Sequence, residues 1–168
     1  MCMLSMVLEL CSLNGKLISK SQATISAFNI EYSYGFGAYE TLRVVRGTPY
    51  FLDQHVERLL YSASQIELTH SLIKEILTNW VNELSATVGE ETYNIKILLI
   101  GAQQPEGVQC WVLPMAPLFP DKKLFSDGVA AITVEYERQF PQAKTLNMLG
   151  SYLAYRKARV QGCYDALF

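Results

Sequence analysis

Residues 71–89 hold the pattern that most limits how this chain can fold. Apolar side chains recur there at the spacing of one helical face. The members of this stripe are Leu72, Ile73, Ile76, Leu77, Trp80, Val81 and Leu84. We predict an amphipathic helix that starts near Ser71 and ends near Gly89. Because β-rich runs lie on both sides of it in the sequence, we expect a mixed α/β fold.

Two predicted hairpins supply strands. Residues 93–100 and 108–113 are β-rich, and residues 103–107 between them have the length and composition of a hairpin connection. Near the start of the chain, short apolar segments flank Asn14-Gly15, the dipeptide that best tolerates positive φ at both centres of a type I′ turn. Residues 4–19 are therefore also predicted to form a hairpin.

A strand, a turn and a helix are predicted between these hairpins. Residues 39–45 alternate as in a strand, residues 46–49 have turn composition, and residues 50–52 begin the returning strand. Asp53 is expected to cap the next helix. The apolar positions of that helix are Val56, Leu59, Leu60, Ala63 and Ile66.

Three closely spaced prolines, Pro114, Pro117 and Pro120, divide the chain. They argue against a helix or an inner strand, so we predict an N-terminal α/β domain at 1–113, a linker at 114–122, and the start of a second domain at 123–168. The elements predicted in this second domain are a strand at 129–136, a loop at 138–144, a helix at 147–161 and a strand at 164–168. Fewer than about fifty residues cannot close a core, so we expect this domain to be incomplete here.

Composition excludes several classes of function. With 14 basic and 16 acidic side chains the net charge is -2, and neither sign forms a run that could follow a phosphate backbone, so no nucleic-acid partner is expected. The cysteines are scattered and only two histidines are present, which favours a reduced, cytoplasmic protein without a metal site. No apolar stretch reaches the roughly 18 to 20 residues that span a bilayer, so no membrane partner is expected.

Three short motifs carry the functional signal: GFGAYETLR at residues 35–43, DQHVERL at residues 53–59 and KTLNMLG at residues 144–150. In this order and at these separations they resemble the fold-type IV pyridoxal-phosphate enzymes, which include branched-chain aminotransferases, D-amino-acid aminotransferases and aminodeoxychorismate lyases. The resemblance runs from about Ser12 to Phe168. Residues 144–165, with KTLNMLGSYLA and GCYDA, look most like the D-amino-acid aminotransferase branch.

The resemblance implies an α/β (α+β), two-domain fold like that of D-amino-acid aminotransferase, with a complete N-terminal domain and a C-terminal domain that is only begun. It implies an active site between the domains and a homodimer. The implied activity is transfer of an amino group between an amino acid and a 2-keto acid, with pyridoxal 5'-phosphate as cofactor.

Lys144 is implied to be the lysine that forms a Schiff base with the cofactor. A position just before a helix N-terminus and desolvation in a pocket would both favour its neutral, nucleophilic form. Arg58 is implied to hold the cofactor phosphate, because a planar guanidinium offers paired donors. The alternatives are a solvated Lys144 and an exposed Arg58 paired with Gln54 or Ser62.

Four further residues are candidates for the site. Tyr39 matches an aromatic residue on the substrate side of the cofactor, or it is a core tyrosine. Arg43 shares the strand face of Tyr39 and could meet a substrate carboxylate, or it lies at the surface. Lys96 occupies a position where branched-chain members often carry arginine. Asn147 either caps the final helix or donates to the phenolic oxygen of the cofactor.

The chain also departs from the family pattern. It contains no glutamate after residues 164–168 to pair with the pyridine nitrogen, and the loop after Ile100 lacks the arginine and histidine of D-amino-acid aminotransferases. Two alternatives therefore stay open: a lyase that releases pyruvate and 4-aminobenzoate, and a non-catalytic remnant. His55 and His70 have no obvious partners and are expected only at helix ends.

Overall fold

A six-stranded antiparallel sheet organises most of the chain in the computed structural model, which describes residues 9–117 and 120–168. The strand order is β2-β1-β6-β5-β3-β4, and every pairing is antiparallel. The strands are β1 (Leu10–Leu13), β2 (Lys16–Ser19), β3 (Gly37–Val45), β4 (Thr48–Pro49), β5 (Tyr93–Ile100) and β6 (Gln109–Met115). The central strands β3, β5 and β6 are the longest.

Two-residue turns set the hairpins. Asn14 and Gly15 have φ angles of 48° and 82°, which confirms the predicted hairpin where it is described; residues 1–8 lie outside the described part. Arg46 and Gly47 likewise have φ angles of 50° and 73°. The chain therefore reverses immediately after β3, and the returning strand is Thr48–Pro49 rather than the predicted 50–52.

Two long helices follow the predicted pattern but differ at their starts. The two long helices are α2 (Leu52–Gln65) and α3 (Lys74–Val88), and a short helix, α1 (Ile30–Ser33), precedes them in the chain. The prediction that Asp53 caps α2 is wrong, because the N-cap is Phe51, with φ of 53°, and Asp53 lies in the first turn. The predicted amphipathic helix is confirmed as α3, which starts three residues after Ser71 and ends at Val88, just before Gly89.

The main core lies between the sheet and these helices. Alternate residues of β3 and β5 pack against the apolar faces of α2 and α3. Its fully buried members include Leu42, Val44, Ile95, Ile97, Leu99, Val56, Leu59, Leu77, Val81 and Leu84. A smaller cluster covers part of the opposite sheet face, around Cys11, Leu98, Ile100 and Trp111.

The second part of the chain contains the predicted strand, helix and strand, in shorter form. After α4 (Lys122–Ser126) come β7 (Ala131–Thr133), α5 (Leu149–Val160) and β8 (Asp165–Leu167). β7 and β8 pair in parallel, as strands joined by a helical crossover do. The domain boundaries at 113 and 122 remain a prediction.

Pro114 lies within a strand, contrary to prediction. β6 continues to Met115, and Pro114 pairs in register with Ile95 of β5. The pairing of β6 with β1 is at Trp111 and Val112, before the proline. A proline near the end of a strand removes at most one ladder hydrogen bond, so the sheet tolerates it.

Within residues 9–117 and 120–168, no helix combines the length and apolar character that crossing a bilayer requires.

Candidate functional site

The segment that carries Lys144 lies along the edge of β3. The Tyr39 N–H donates to the Lys144 carbonyl at 3.0 Å, and the Leu146 N–H donates to the Gly37 carbonyl at 2.9 Å. Glycine suits this position, because a Cβ at Gly37 would lie 2.6 Å from the Leu146 side chain of this segment and 2.3 Å from the Leu99 carbonyl oxygen of β5. The lysine backbone is therefore held as a short extension of the sheet.

Helix α2 holds the same lysine from another direction. The backbone N–H of Lys144 donates to the Ser62 hydroxyl oxygen at 3.0 Å. Ser62 is completely buried. Both backbone polar groups of Lys144 thus have protein partners, one on β3 and one on α2.

A cavity of about 290 Å³ opens beside this segment. Three of the predicted site residues line it: Tyr39, Lys144 and Asn147. Arg138 and Met148, which sequence reasoning did not single out, line it as well. The predicted loop before Lys144 thus contributes a cation to the cavity wall.

The Lys144 amine lies over the ring of Tyr39, with Nζ 4.7 Å from the ring centroid. Burial lowers the pKa of the Lys144 amine below its ordinary value, and Arg58 and Arg138 lower it further, while Glu40 opposes them. Because α5 starts only at Leu149, Lys144 lies before its first turn, and burial rather than the helix dipole is the main cause we identify. The amine is thereby biased towards its neutral form.

Glu40 is fully buried and accepts three hydrogen bonds. Arg58 donates from Nε to Oε1 at 2.5 Å and from Nη2 to Oε2 at 2.6 Å, and His55 Nδ1 lies 2.8 Å from Oε2. Burial alone would raise the pKa of Glu40, but the hydrogen bonds from Arg58 and His55 outweigh it and hold the pKa below its usual value. The carboxylate is therefore charged and paired.

Sequence reasoning missed this cluster. His55 was expected at a helix end without a partner; it does lie in the first turn of α2, but the lack of a partner is wrong, because its ring contacts Glu40. The signal was present in the alternation of β3, where Glu40 shares the inward parity of Leu42 and Val44. A carboxylate at an inward position needs charged partners, and Arg58 lies three residues after His55 on the facing helix.

Arg58 retains donors for a further ligand. A guanidinium has five N–H groups, and Glu40 accepts from two of them. The side chain is 53% exposed, so the remaining donors have access to solvent. The predicted alternative, an exposed arginine paired with Gln54 or Ser62, is replaced by this bidentate pairing with Glu40.

Tyr39 packs as a core tyrosine would and also lines the cavity beside Lys144, while its role towards a substrate stays a prediction. It packs against the smaller apolar cluster, and its hydroxyl donates to the Met148 sulfur at 3.6 Å beside the cavity. Burial raises the pKa of Tyr39, as does Glu40. The Lys96 amine lies 5.2 Å from the centroid of the same ring, although Lys96 lines a different cavity, beside Cys11 and Leu113.

Of the two remaining candidates, Arg43 lies apart from the cavity beside Lys144 and Asn147 lines it. Arg43 is exposed on the same face of β3 as Tyr39, as predicted, but it lines another cavity, with Tyr50 and His55. The idea that Asn147 caps the final helix is wrong, because α5 has Met148 as its N-cap and no side-chain capping bond. Asn147 instead lines the cavity beside Lys144.

Comparison with known proteins adds a family context. Residues 37–168 match the family model described as amino-transferase class IV. A D-alanine aminotransferase of Listeria innocua is 30% identical over 167 residues, which cover 92% of this chain and 57% of that protein. A putative branched-chain-amino-acid aminotransferase of Methanocaldococcus jannaschii is 30% identical over 169 residues, with the same coverage.

A solved structure agrees with this match. The branched-chain aminotransferase of Thermoproteus uzoniensis, solved with norvaline, superposes with a TM-score of 0.80 at 26% sequence identity. The alignment covers 94% of this chain and 58% of that one. The chain thus spans a little over half the length of the relatives it matches.

Proposed function

The chain belongs to the amino-transferase class IV family, and from that premise we propose that the whole protein transfers an amino group between an amino acid and a 2-keto acid with pyridoxal 5'-phosphate. The observation that carries the proposal is the half-buried Lys144 amine, which faces a cavity and has a lowered pKa. Amines with these properties serve as nucleophiles and bases in catalysis.

The donor set suits this cofactor. Lys144 supplies an amine for its aldehyde, and Arg58 supplies three N–H groups not used by Glu40 for its phosphate. The cavity of about 290 Å³ lies just below the range of roughly 300 to 1,000 Å³ typical of small-molecule sites. Asn147, in the cavity wall, is proposed to donate to the phenolic oxygen.

When bound, the cofactor supplies an electron sink for the bond that breaks at the substrate α-carbon. The neutral Nζ of Lys144 is proposed to accept the proton from that carbon and to return it in the next step. The Tyr39 ring, against which the amine lies, excludes water from one side of Nζ. Arg58, whose guanidinium is held by Glu40, would bind the anionic end of the cofactor.

Substrate binding and assembly complete the proposal. We assign the substrate side to Tyr39, Arg43 and Lys96, with the two cations as candidate partners for a carboxylate. Arg43 and Lys96 line cavities other than that of Lys144. A homodimer is proposed from the family resemblance, and a cytoplasmic location from the scattered cysteines.

A titration with pyridoxal phosphate tests the function. We expect a visible absorption band from cofactor linked to the lysine, and borohydride reduction should fix the cofactor to the peptide that contains Lys144. Lys144→Ala should abolish both signals, whereas Lys157→Ala, which removes an exposed lysine of α5, should leave them unchanged. A folded protein without the band would overturn the proposal in favour of a non-catalytic remnant.

Acceptor dependence separates transfer from lyase chemistry. A transaminase needs a 2-keto acid to complete its cycle, whereas a lyase that releases pyruvate turns over without one. We expect continuous turnover of an amino acid only when a keto acid is present. Turnover of aminodeoxychorismate without an acceptor would assign the lyase reaction instead.

A further inference from the structure

Ser62 joins two distant parts of the site through one hydrogen bond. Its hydroxyl oxygen accepts the backbone N–H of Lys144 at 3.0 Å, across 82 residues of sequence. The serine has no exposed surface, so water does not substitute for this contact in the folded protein. A buried N–H without an acceptor is unfavourable, which makes the pairing specific.

The same face of α2 carries Arg58. His55, Arg58 and Ser62 follow at i, i+3 and i+7, the spacing of one helical stripe. Arg58 and Ser62 are thus one turn apart, about 6 Å along the axis at 1.5 Å per residue. One rigid helix therefore holds both the guanidinium and the backbone of the lysine.

The remaining anchor of Lys144 lies on the sheet. Its carbonyl accepts from the Tyr39 N–H, so β3 fixes one side of the peptide and Ser62 fixes the other. If the Ser62 contact were lost, the segment would still be held by β3 and could rotate about that edge. The amine would then lose its fixed relation to Arg58.

We propose that Ser62 is a positioning residue, whose hydroxyl fixes the position of the Lys144 amine relative to the Arg58 guanidinium. The role concerns geometry, since Ser62 contacts the backbone of Lys144 and not its amine. Its catalytic consequence rests on the proposed function of Lys144, but its effect on the amine does not.

The test compares Ser62→Ala with Ser62→Cys, which retains a weak acceptor of similar size, and with Ser64→Ala. Ser64 is an exposed residue of the same helix whose hydroxyl donates to the Tyr61 carbonyl, so it is a matched control. Competitive acetylation across pH, with Lys157 as internal reference, measures the reactivity of Lys144 in the cofactor-free protein. This measurement requires no enzymatic activity.

We expect Ser62→Ala to raise the apparent pKa of Lys144 towards the ordinary lysine value and to lower its relative acetylation near pH 8 about threefold or more. Ser62→Cys should recover part of the loss, and Ser64→Ala should match the parent protein. In the cofactor-loaded enzyme, kcat should fall about tenfold with substrate KM within about twofold, as expected for a misplaced catalytic group.

The outcomes separate the two proposals. Unchanged Lys144 reactivity in a folded Ser62→Ala protein would overturn the role of Ser62. A parent protein that binds no cofactor would overturn the proposed function, while a shifted acetylation profile would still support the positioning role. If Ser62→Ala does not fold, the Ser62→Cys profile decides.

Discussion

Replacing Arg58 by alanine should destabilise the protein strongly, because it leaves Glu40 buried without its bidentate partner. Two charge-assisted hydrogen bonds, at 2.5 and 2.6 Å, would be lost. Each such bond contributes about 1.5–3 kcal/mol, and breaking a fully buried pair costs about 3–5 kcal/mol. Arg58 is 53% exposed, so solvent reduces the effect, and we expect a loss of about 2–3 kcal/mol.

A double-mutant cycle isolates the pair. Urea unfolding at pH 7 should show a smaller loss for Glu40→Gln, about 1–2 kcal/mol, because glutamine removes the buried charge. The double variant should be less destabilised than the sum of the single variants by about 1–2 kcal/mol. Additivity within about 0.5 kcal/mol would refute the idea that Glu40 and Arg58 stabilise each other.

Since the pKa of Glu40 is lowered on folding, its contribution to stability is present above the ordinary glutamate value of about 4.3 and is lost as pH falls through the folded pKa. In urea unfolding, Glu40→Gln should therefore lose less stability than the parent between pH 5 and pH 3, and equal slopes of the free energy of unfolding against pH would contradict this. Since the pKa of Lys144 is lowered on folding, the folded state gains stability as pH rises from that folded pKa towards about 10.4, the ordinary lysine value. Cofactor-free Lys144→Met should therefore be more stable than the parent at pH 7, and this difference should shrink at pH 10. The opposite trend would count against burial as the cause of the lowered pKa. Gly37→Ala should cost about 2–3 kcal/mol and loosen the Lys144 segment in hydrogen exchange, because its Cβ would lie 2.6 Å from the Leu146 side chain of that segment and 2.3 Å from the Leu99 carbonyl oxygen. Gly128→Ala, with open space around it and φ of 75°, is the control and should cost about 1 kcal/mol without affecting that segment.

Periodicity predicted the elements of the fold well, because burial against one layer imposes a repeat on the sequence. The stripe that predicted α3 reappears as buried Leu77, Val81 and Leu84. The ends of elements were less predictable, since they depend on local backbone angles. Phe51 adopts a left-handed conformation before α2, and Met148 rather than Asn147 precedes α5.

The candidate site was predictable only in part, for a related reason. Motifs identified Lys144 and Arg58 individually, but the contacts that hold them involve residues far apart in the chain. The Ser62 bond to Lys144 and the pairing of Ala38 with Thr145 depend on how the layers pack. The parity of a strand indicates that Glu40 faces inward, but it does not identify the partner.

Neighbouring residues of β3 connect the amine and the guanidinium. Tyr39 contacts the Lys144 side chain and the next residue, Glu40, binds Arg58, so one strand serves both groups. Glu40 and Arg58 act in opposite directions on the pKa of Lys144, and their effects partly offset each other. Burial is then the largest cause of the lowered pKa. The amine can thus be biased towards its neutral form beside an arginine whose charge is already compensated and whose free donors stay available for an anion.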